Sequence, residues 1–138
     1  MTRLYVLELF GKKYYVGLSD QFARRLAQHI RGEGSKFSKL HGFRACVLSM
    51  DVPDHMANRL ENDMTCYLMA RFGWQNVRGG DYVRCINDDE TYWLPPAFKK
   101  LFATGSAADV LKLRSGTVSQ FLPEFRGLVD RFCAVCGS

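Results

Sequence analysis

Apolar and polar positions change their period several times along the chain, and each change marks an element. Residues 3–9, with Leu4, Tyr5, Val6, Leu7 and Leu9, and residues 14–18, from Tyr14 to Leu18, are short runs rich in β-branched, aromatic and aliphatic side chains. The connection Phe10-Gly11-Lys12-Lys13 between them predicts a hairpin. Leu4 and Val6 fall on one face of the first strand and Tyr5, Leu7 and Leu9 on the other, so both faces should be covered. The period then lengthens. Phe22, Leu26 and Ile30 recur every four residues as the buried stripe of a helix from about Asp20 to Arg31. Ser19 is its expected N-cap, with Asp20 in the first turn, and Gly32 and Gly34 release the chain at its end. Arg25 and His29 form a second row on this helix, one turn apart and able to act on one ligand.

Ser35 to Gly42 reads as a basic loop or short helix, and Phe43 to Val52 as a third strand. Pro53 suits the first position of a long helix that runs to about Phe72 and stops at Gly73. Its core stripe is Ala57, Leu60, Met64, Leu68 and Phe72, with Glu61 beside it at the edge of a cleft. Gly79-Gly80, following Asn76 and Arg78, suits a backbone that approaches a ligand, or a tight turn. Residues 81–96 look irregular, with an acidic patch at Asp88, Asp89 and Glu90. Short helices are expected over 97–103, over 106–114 with Ser106 as cap, and from Pro123 to Phe132, where Phe125, Leu128, Val129 and Phe132 share a face. The pattern predicts an α/β fold: a small three-stranded sheet flanked by helices over residues 1–80, with a mostly helical C-terminal extension, 81–138, packed on it or following it.

Composition narrows the class. The 138 residues are 47% hydrophobic and 24% charged, which fills a core and excludes a disordered chain. No apolar run approaches the roughly 18–20 residues of a membrane span. Glu8, Lys12 and Lys13 interrupt anything resembling a signal peptide, so the expected location is the cytoplasm, or the nucleus of a eukaryote. Five cysteines, an odd number with the first three widely scattered, then read as reduced thiols rather than a disulfide framework. The net charge of +5 is localised: residues 12–44 carry eight basic side chains against two acidic ones, whereas 45–138 carry ten against eleven. Such a cluster favours a polyanion, nucleic acid first, with Lys12, Lys13, Arg24, Lys36 and Lys39 as candidate contacts, and Arg78 further on beside the Gly79-Gly80 turn. A solvated basic face is the plainer alternative.

Arg3-Leu4-Tyr5, Tyr15-Val16-Gly17, Arg25 ten residues on, His29 four after that, Glu61 on a later helix and Asn76 fifteen beyond it together resemble the GIY-YIG nucleases, over roughly residues 3–80. The first motif departs from the family in having Arg3 for glycine and Leu4 for isoleucine, positions that shape the strand. The resemblance implies a metal-dependent DNA endonuclease, with Tyr5 as general base, Tyr15 as a positioning group and His29 as proton carrier or phosphate contact. It adds His41 and Asn76 to the substrate contacts.

The same residues suit phosphodiester hydrolysis without the family. The reaction needs an activated water, counter-charge for the developing anionic state and help for the leaving oxygen. Glu61 is a hard ligand for one Mg²⁺ or Mn²⁺ that keeps most of its waters. Arg25 offers a fixed fork to phosphate oxygens. Tyr5 or Tyr15 could orient or deprotonate water, but a tyrosine with a pKa of about 10 needs Arg25, His29 or a metal to lower it. Taken singly, each has an ordinary use: a strand tyrosine in the core, a helical arginine, histidine or glutamate at the surface. The expected partner is DNA, and cutting both strands calls for a homodimer or sequential nicking. Cys133 and Cys136 supply only two of about four ligands of a structural zinc site, and two reduced thiols are the stronger reading. The rival functions are a non-catalytic nucleic-acid-binding module on the same fold, and a small zinc-dependent interaction protein built on these cysteines.

Overall fold

A computed structural model of the chain describes residues 1–80 and 123–136. The hairpin is formed by β1 (Thr2–Leu9) and β2 (Lys13–Ser19), with Tyr5 opposite Gly17. Gly11 and Lys12 both hold positive φ, of 78° and 57°, and two such residues in succession match a hairpin turn to the twist of its strands. β3 (Phe43–Val52) runs antiparallel along the other side of β1, over the span expected, with register shifts after Val6 and Glu8. The sheet has four strands rather than three. Val77–Gly79 forms β4, parallel to Tyr14–Val16, and completes the order β3-β1-β2-β4. Three residues that end at the first of two glycines carry no legible period, so they read as a turn. Gly79 is needed there for packing: a Cβ would lie 2.6 Å from the Val16 carbonyl oxygen and 2.7 Å from Thr65 Oγ1.

Helices cover both faces. The face carrying Leu4, Val6, Tyr14 and Val16 packs on α3 (Ala57–Phe72) and on α4 (Pro123–Cys136), which contributes Phe125, Leu128 and Phe132 to the main core. The expected stripe Ala57, Leu60, Met64 and Leu68 is buried, with Phe72 packed at its end. Pro53 precedes a 3₁₀ turn, Asp54–Met56, rather than opening α3 itself. The face carrying Tyr5, Leu7, Leu9 and Tyr15 packs on α1 (Phe22–Ile30) and α2 (Lys36–His41), through Phe22, Leu26 and Phe37. The helical stretches expected over 97–103 and 106–114, the acidic patch and Cys85 lie outside the described residues.

Two local expectations on α1 are corrected. Ser19 is not its N-cap: Gln21 holds that position, and the Ser19 hydroxyl instead accepts from the Gln21 amide at 3.0 Å in the turn before the helix. Ile30 is 57% exposed, and His29 takes its place in the interior. A strict four-residue spacing drifts off a helix face that repeats every 3.6 residues, so the third member of the stripe is i+7, not i+8.

Phe132 joins the two halves of the main core, meeting Tyr14, Tyr67 and Phe72 edge-on at 6.1–6.5 Å between ring centres. Phe132→Ala is expected to cost about 3–5 kcal/mol in urea unfolding, whereas Lys36→Ala on the exposed side of α2 should stay within about 0.5 kcal/mol of the parent.

Candidate active site

The α1/α2 face of the sheet holds a cluster of polar side chains inside an otherwise apolar layer. Tyr5 projects from the middle of β1 and is 1% exposed, Tyr15 from β2 is 8% exposed, and His29 from α1 is 1% exposed. The Tyr5 hydroxyl is 3.0 Å from His29 Nε2, and the His29 ring lies 5.1 Å from that of Tyr15, centre to centre. The other ring nitrogen, Nδ1, is 2.9 Å from Ser38 Oγ on α2. Ser38 Oγ is in turn 3.1 Å from both the hydroxyl and the carbonyl oxygen of Ser35, whose side chain also caps α2 by accepting from the Ser38 amide. Ser35 further interacts with the Tyr15 hydroxyl, so the two tyrosines are linked through Ser35, Ser38 and His29.

Two glycines make room for this packing. A Cβ on Gly17 would fall 2.4 Å from the Tyr5 ring and hydroxyl, and one on Gly34 would fall 2.2 Å from His29 Nδ1. The glycine after Tyr15-Val16 is therefore required by the tyrosine directly across the hairpin. Arg3, which stands where the family has glycine, is held at the strand end by Asp51 at 3.0 Å and Ser49 at 2.9 Å, with its guanidinium over the Phe22 ring.

Arg25, one turn before His29, faces both tyrosine hydroxyls. Its Nη1 also donates to Gln28 Oε1 at 3.0 Å, which holds the guanidinium in place. Arg25 and Gln28 line a shallow cleft of about 200 Å³ with Ser19, Asp20, Gln21 and Arg24. Glu61, partly buried on α3, is close enough to raise the pKa of both tyrosines, although α3 packs on the opposite face. β4 ends at Gly79, opposite Val16, and among the described residues no strand continues along β2 beyond that point.

Burial dominates the electrostatics. It raises the Tyr5 pKa well above the usual phenol value, assisted by Tyr15 and Glu61 and opposed by Arg25. Tyr15 is raised in the same way, with Arg25 and Ser35 opposing. The His29 pKa is lowered to about 4, first by burial and then by Arg25. In the protein alone all three groups are therefore neutral at pH 7. Arg25 tempers the tyrosines without bringing either below the free value.

Tyr5, Tyr15, Arg25 and His29 come together, with Glu61 at their margin, whereas the expected substrate contacts divide. Lys12, Arg24, Lys36 and Lys39 are exposed. Lys13 hydrogen-bonds the Asn76 side-chain oxygen, and Asn76 Nδ2 donates to the Phe72 carbonyl at 2.7 Å, closing the end of α3. Asn76 is thus engaged in joining β2 to α3. His41 lies edge-on to Phe37, with its pKa lowered by burial, Lys13 and Arg78. Arg78 is not a surface contact: it is 1% exposed, donates to the Val77 carbonyl at 2.6 Å and lies over the Phe37 ring. Parallel pairing with β2 sends its side chain to the same face as Tyr15, under α2. His29 is equally buried, and its two ring nitrogens are engaged by Tyr5 and Ser38.

Among the described residues no three His, Cys, Asp or Glu side chains gather as a cation site. A single carboxylate beside buried hydroxyls fits Mg²⁺ or Mn²⁺, which bind through one or two carboxylates and otherwise keep water. Cys133 offers less to a cation, because its sulfur lies 3.6 Å from the Arg71 guanidinium and 3.4 Å from the Tyr67 hydroxyl. Ser35, Ser38 and Gln28 escaped the sequence reading. Their signals were local: a serine pair spaced as an N-cap and its third helical residue, and a glutamine one turn beyond Arg25.

Over 36 residues, 26% of its length, the chain is 42% identical to a UPF0213 protein of Cupriavidus necator. It spans about two-fifths of that relative, 39% of whose length is matched. No family model and no solved structure matches the chain.

The neutral burial of His29 makes stability pH-dependent. In the unfolded chain its pKa returns to about 6.5, so below that value the unfolded state binds a proton that the folded state refuses. Stability from this group is full above pH 6.5 and is lost as the pH falls toward 4. Between pH 7 and pH 5 the loss should be on the order of 2 kcal/mol in urea unfolding, and His29→Gln should flatten most of that slope. His41, shifted in the same direction, accounts for part of any remainder. Gly17→Ala should displace the Tyr5 ring and cost about 1–3 kcal/mol, read as lost stability together with a changed Tyr5 hydroxyl environment by NMR.

Proposed function

We propose that the chain is a metal-dependent DNA endonuclease of the GIY-YIG type, hydrolysing phosphodiester bonds. The observation that carries the reading is the convergence of Tyr5, Tyr15, Arg25 and His29 from three separate elements on one site, with Glu61 electrostatically linked to it. The exposed Lys12, Arg24, Lys36 and Lys39 give the surrounding surface the sign of charge that a DNA backbone requires.

On this reading Tyr5 takes a proton from the attacking water as its own hydroxyl proton passes to His29 Nε2. The water oxygen then attacks phosphorus as the bond to the in-line leaving oxygen breaks, and that oxygen departs to take a proton from solvent water. Arg25, held by Gln28, meets the charge that accumulates on the non-bridging oxygens, and Tyr15 positions water or phosphate beside it. Glu61 would hold one Mg²⁺ or Mn²⁺, which would supply Lewis-acid stabilisation of the same developing charge. Because Tyr5 is resting neutral and buried, the proton transfer is uphill in the free protein and becomes accessible only when positive charge and substrate complete the site. The near-complete burial of Tyr5 and His29 is also what favours the rival, a nucleic-acid-binding module that keeps the fold without turnover.

Incubation with plasmid and branched DNA in Mg²⁺ or Mn²⁺, and then in EDTA, separates the two. Metal-dependent nicking is expected, and its absence on every substrate would leave the binder. Glu61→Gln should lower cleavage at least about 100-fold while DNA affinity and the urea midpoint change little. Full activity in that variant would sink the assignment. Arg25→Ala should reduce kcat more than it weakens binding, since its charge matters most in the transition state. The cut positions on the same DNA panel would show whether both strands are cut by two copies of the chain or nicked in turn.

A further inference from the structure

The Ser35–Ser38 pair at the start of α2 has no part in the chemistry described so far, yet among the described residues Ser38 is the hydrogen-bond partner of His29 on the side away from Tyr5. We propose that Ser38 is a positioning residue: by accepting from Nδ1–H it fixes His29 in the tautomer whose Nε2 is free to accept from Tyr5. This deepens the nuclease reading and rests on it for its consequence in turnover.

The argument is an accounting of protons. Arg25 carries donors and no acceptor, and it faces the Tyr5 hydroxyl oxygen. That oxygen therefore accepts a hydrogen bond from Arg25 and must donate its own proton elsewhere. His29 Nε2, at 3.0 Å, is the acceptor in reach. With Nε2 accepting and the ring neutral, the ring proton is on Nδ1, pointing at Ser38 Oγ at 2.9 Å. Ser38 can accept it because its own proton has an acceptor in the Ser35 carbonyl at 3.1 Å. The Ser35 hydroxyl, also 3.1 Å from Ser38 Oγ, fills the second lone pair. In the opposite arrangement Ser38 would donate to Nδ1 and Nε2–H would donate to Tyr5. Two donors would then converge on the Tyr5 oxygen, leaving its proton without this partner inside a buried site, an expensive outcome. Gly34 belongs to the same device, since any side chain there would occupy the space of Nδ1.

The test is ¹⁵N NMR of the His29 ring in the full chain at pH 7, joined to cleavage kinetics. The wild-type ring should be protonated on Nδ1. Ser38→Ala should shift the population toward Nε2–H and lower kcat by about 10- to 100-fold, with KM within about twofold. Ser38→Thr, which restores the hydroxyl, should recover both. A wild-type ring protonated on Nε2, or an Ala variant with tautomer and kcat unchanged, would overturn the proposal. If Ser38→Ala does not fold, Ser38→Cys, similar in size but a weak acceptor, carries the same two readouts. The NMR arm does not depend on turnover. A chain that cuts nothing, yet loses Nδ1–H on Ser38→Ala, removes the nuclease reading and retains the tautomer assignment. A chain that cuts DNA with its tautomer indifferent to Ser38 does the reverse.

Discussion

A neutral imidazole sealed beneath two short helices is the constraint on which this structure turns. Burying His29 costs free energy unless both ring nitrogens find partners, and the partners come from different elements: Tyr5 on β1 and Ser38 on α2. The contacts that satisfy the ring also fix where α1 and α2 sit on the sheet. α2 has only six residues and little apolar surface beyond Phe37, so it depends on docking more than on intrinsic helix stability. Remove either hydrogen bond and a buried polar atom is left exposed to a low-dielectric interior. The glycines at 17 and 34 are the steric counterpart of this requirement, because each leaves the space that the network fills.

The sheet divides its labour by face. Alternation along β1 and β2 sends Leu4, Val6, Tyr14 and Val16 to a large apolar core closed by α3 and α4. The same alternation sends Tyr5 and Tyr15 to the smaller layer under α1 and α2. One strand therefore fills the main core with its even positions and carries Tyr5 into a polar layer on its other face. Glu61 crosses this division. It is carried by the helix of the stabilising face yet acts electrostatically on the tyrosines of the other.

Much of this was legible in the sequence because it depends on period and spacing. The hairpin, the bounds of β3, the stripe of α3 and the row formed by Arg25 and His29 all follow from local rules. What was hidden depends on long-range partners. β4 is too short to have a period and exists because Gly79 admits close contact with Val16 and Thr65. Arg78 read as a surface cation, but parallel pairing turns it inward, onto Phe37. Ile30 read as core, but the true helical period assigns that place to His29, a residue type that hydropathy would send outward. Ser35 and Ser38 look like ordinary capping residues until the histidine that needs them is known.

The electrostatics add one further step. Burial raises both tyrosines, and the carboxylate of Glu61 raises them further, so the free protein is set against forming a phenolate. Arg25 opposes this and loses. Offsetting the charge of Glu61 would remove one of the influences that Arg25 must overcome, and it would do so for both tyrosines at once. Under the nuclease proposal, such a site would stay quiescent until its carboxylate is neutralised and the cleft beside Arg25 is filled. On that proposal, the burial that makes Tyr5 a poor base at rest would also keep bulk water from competing for its proton.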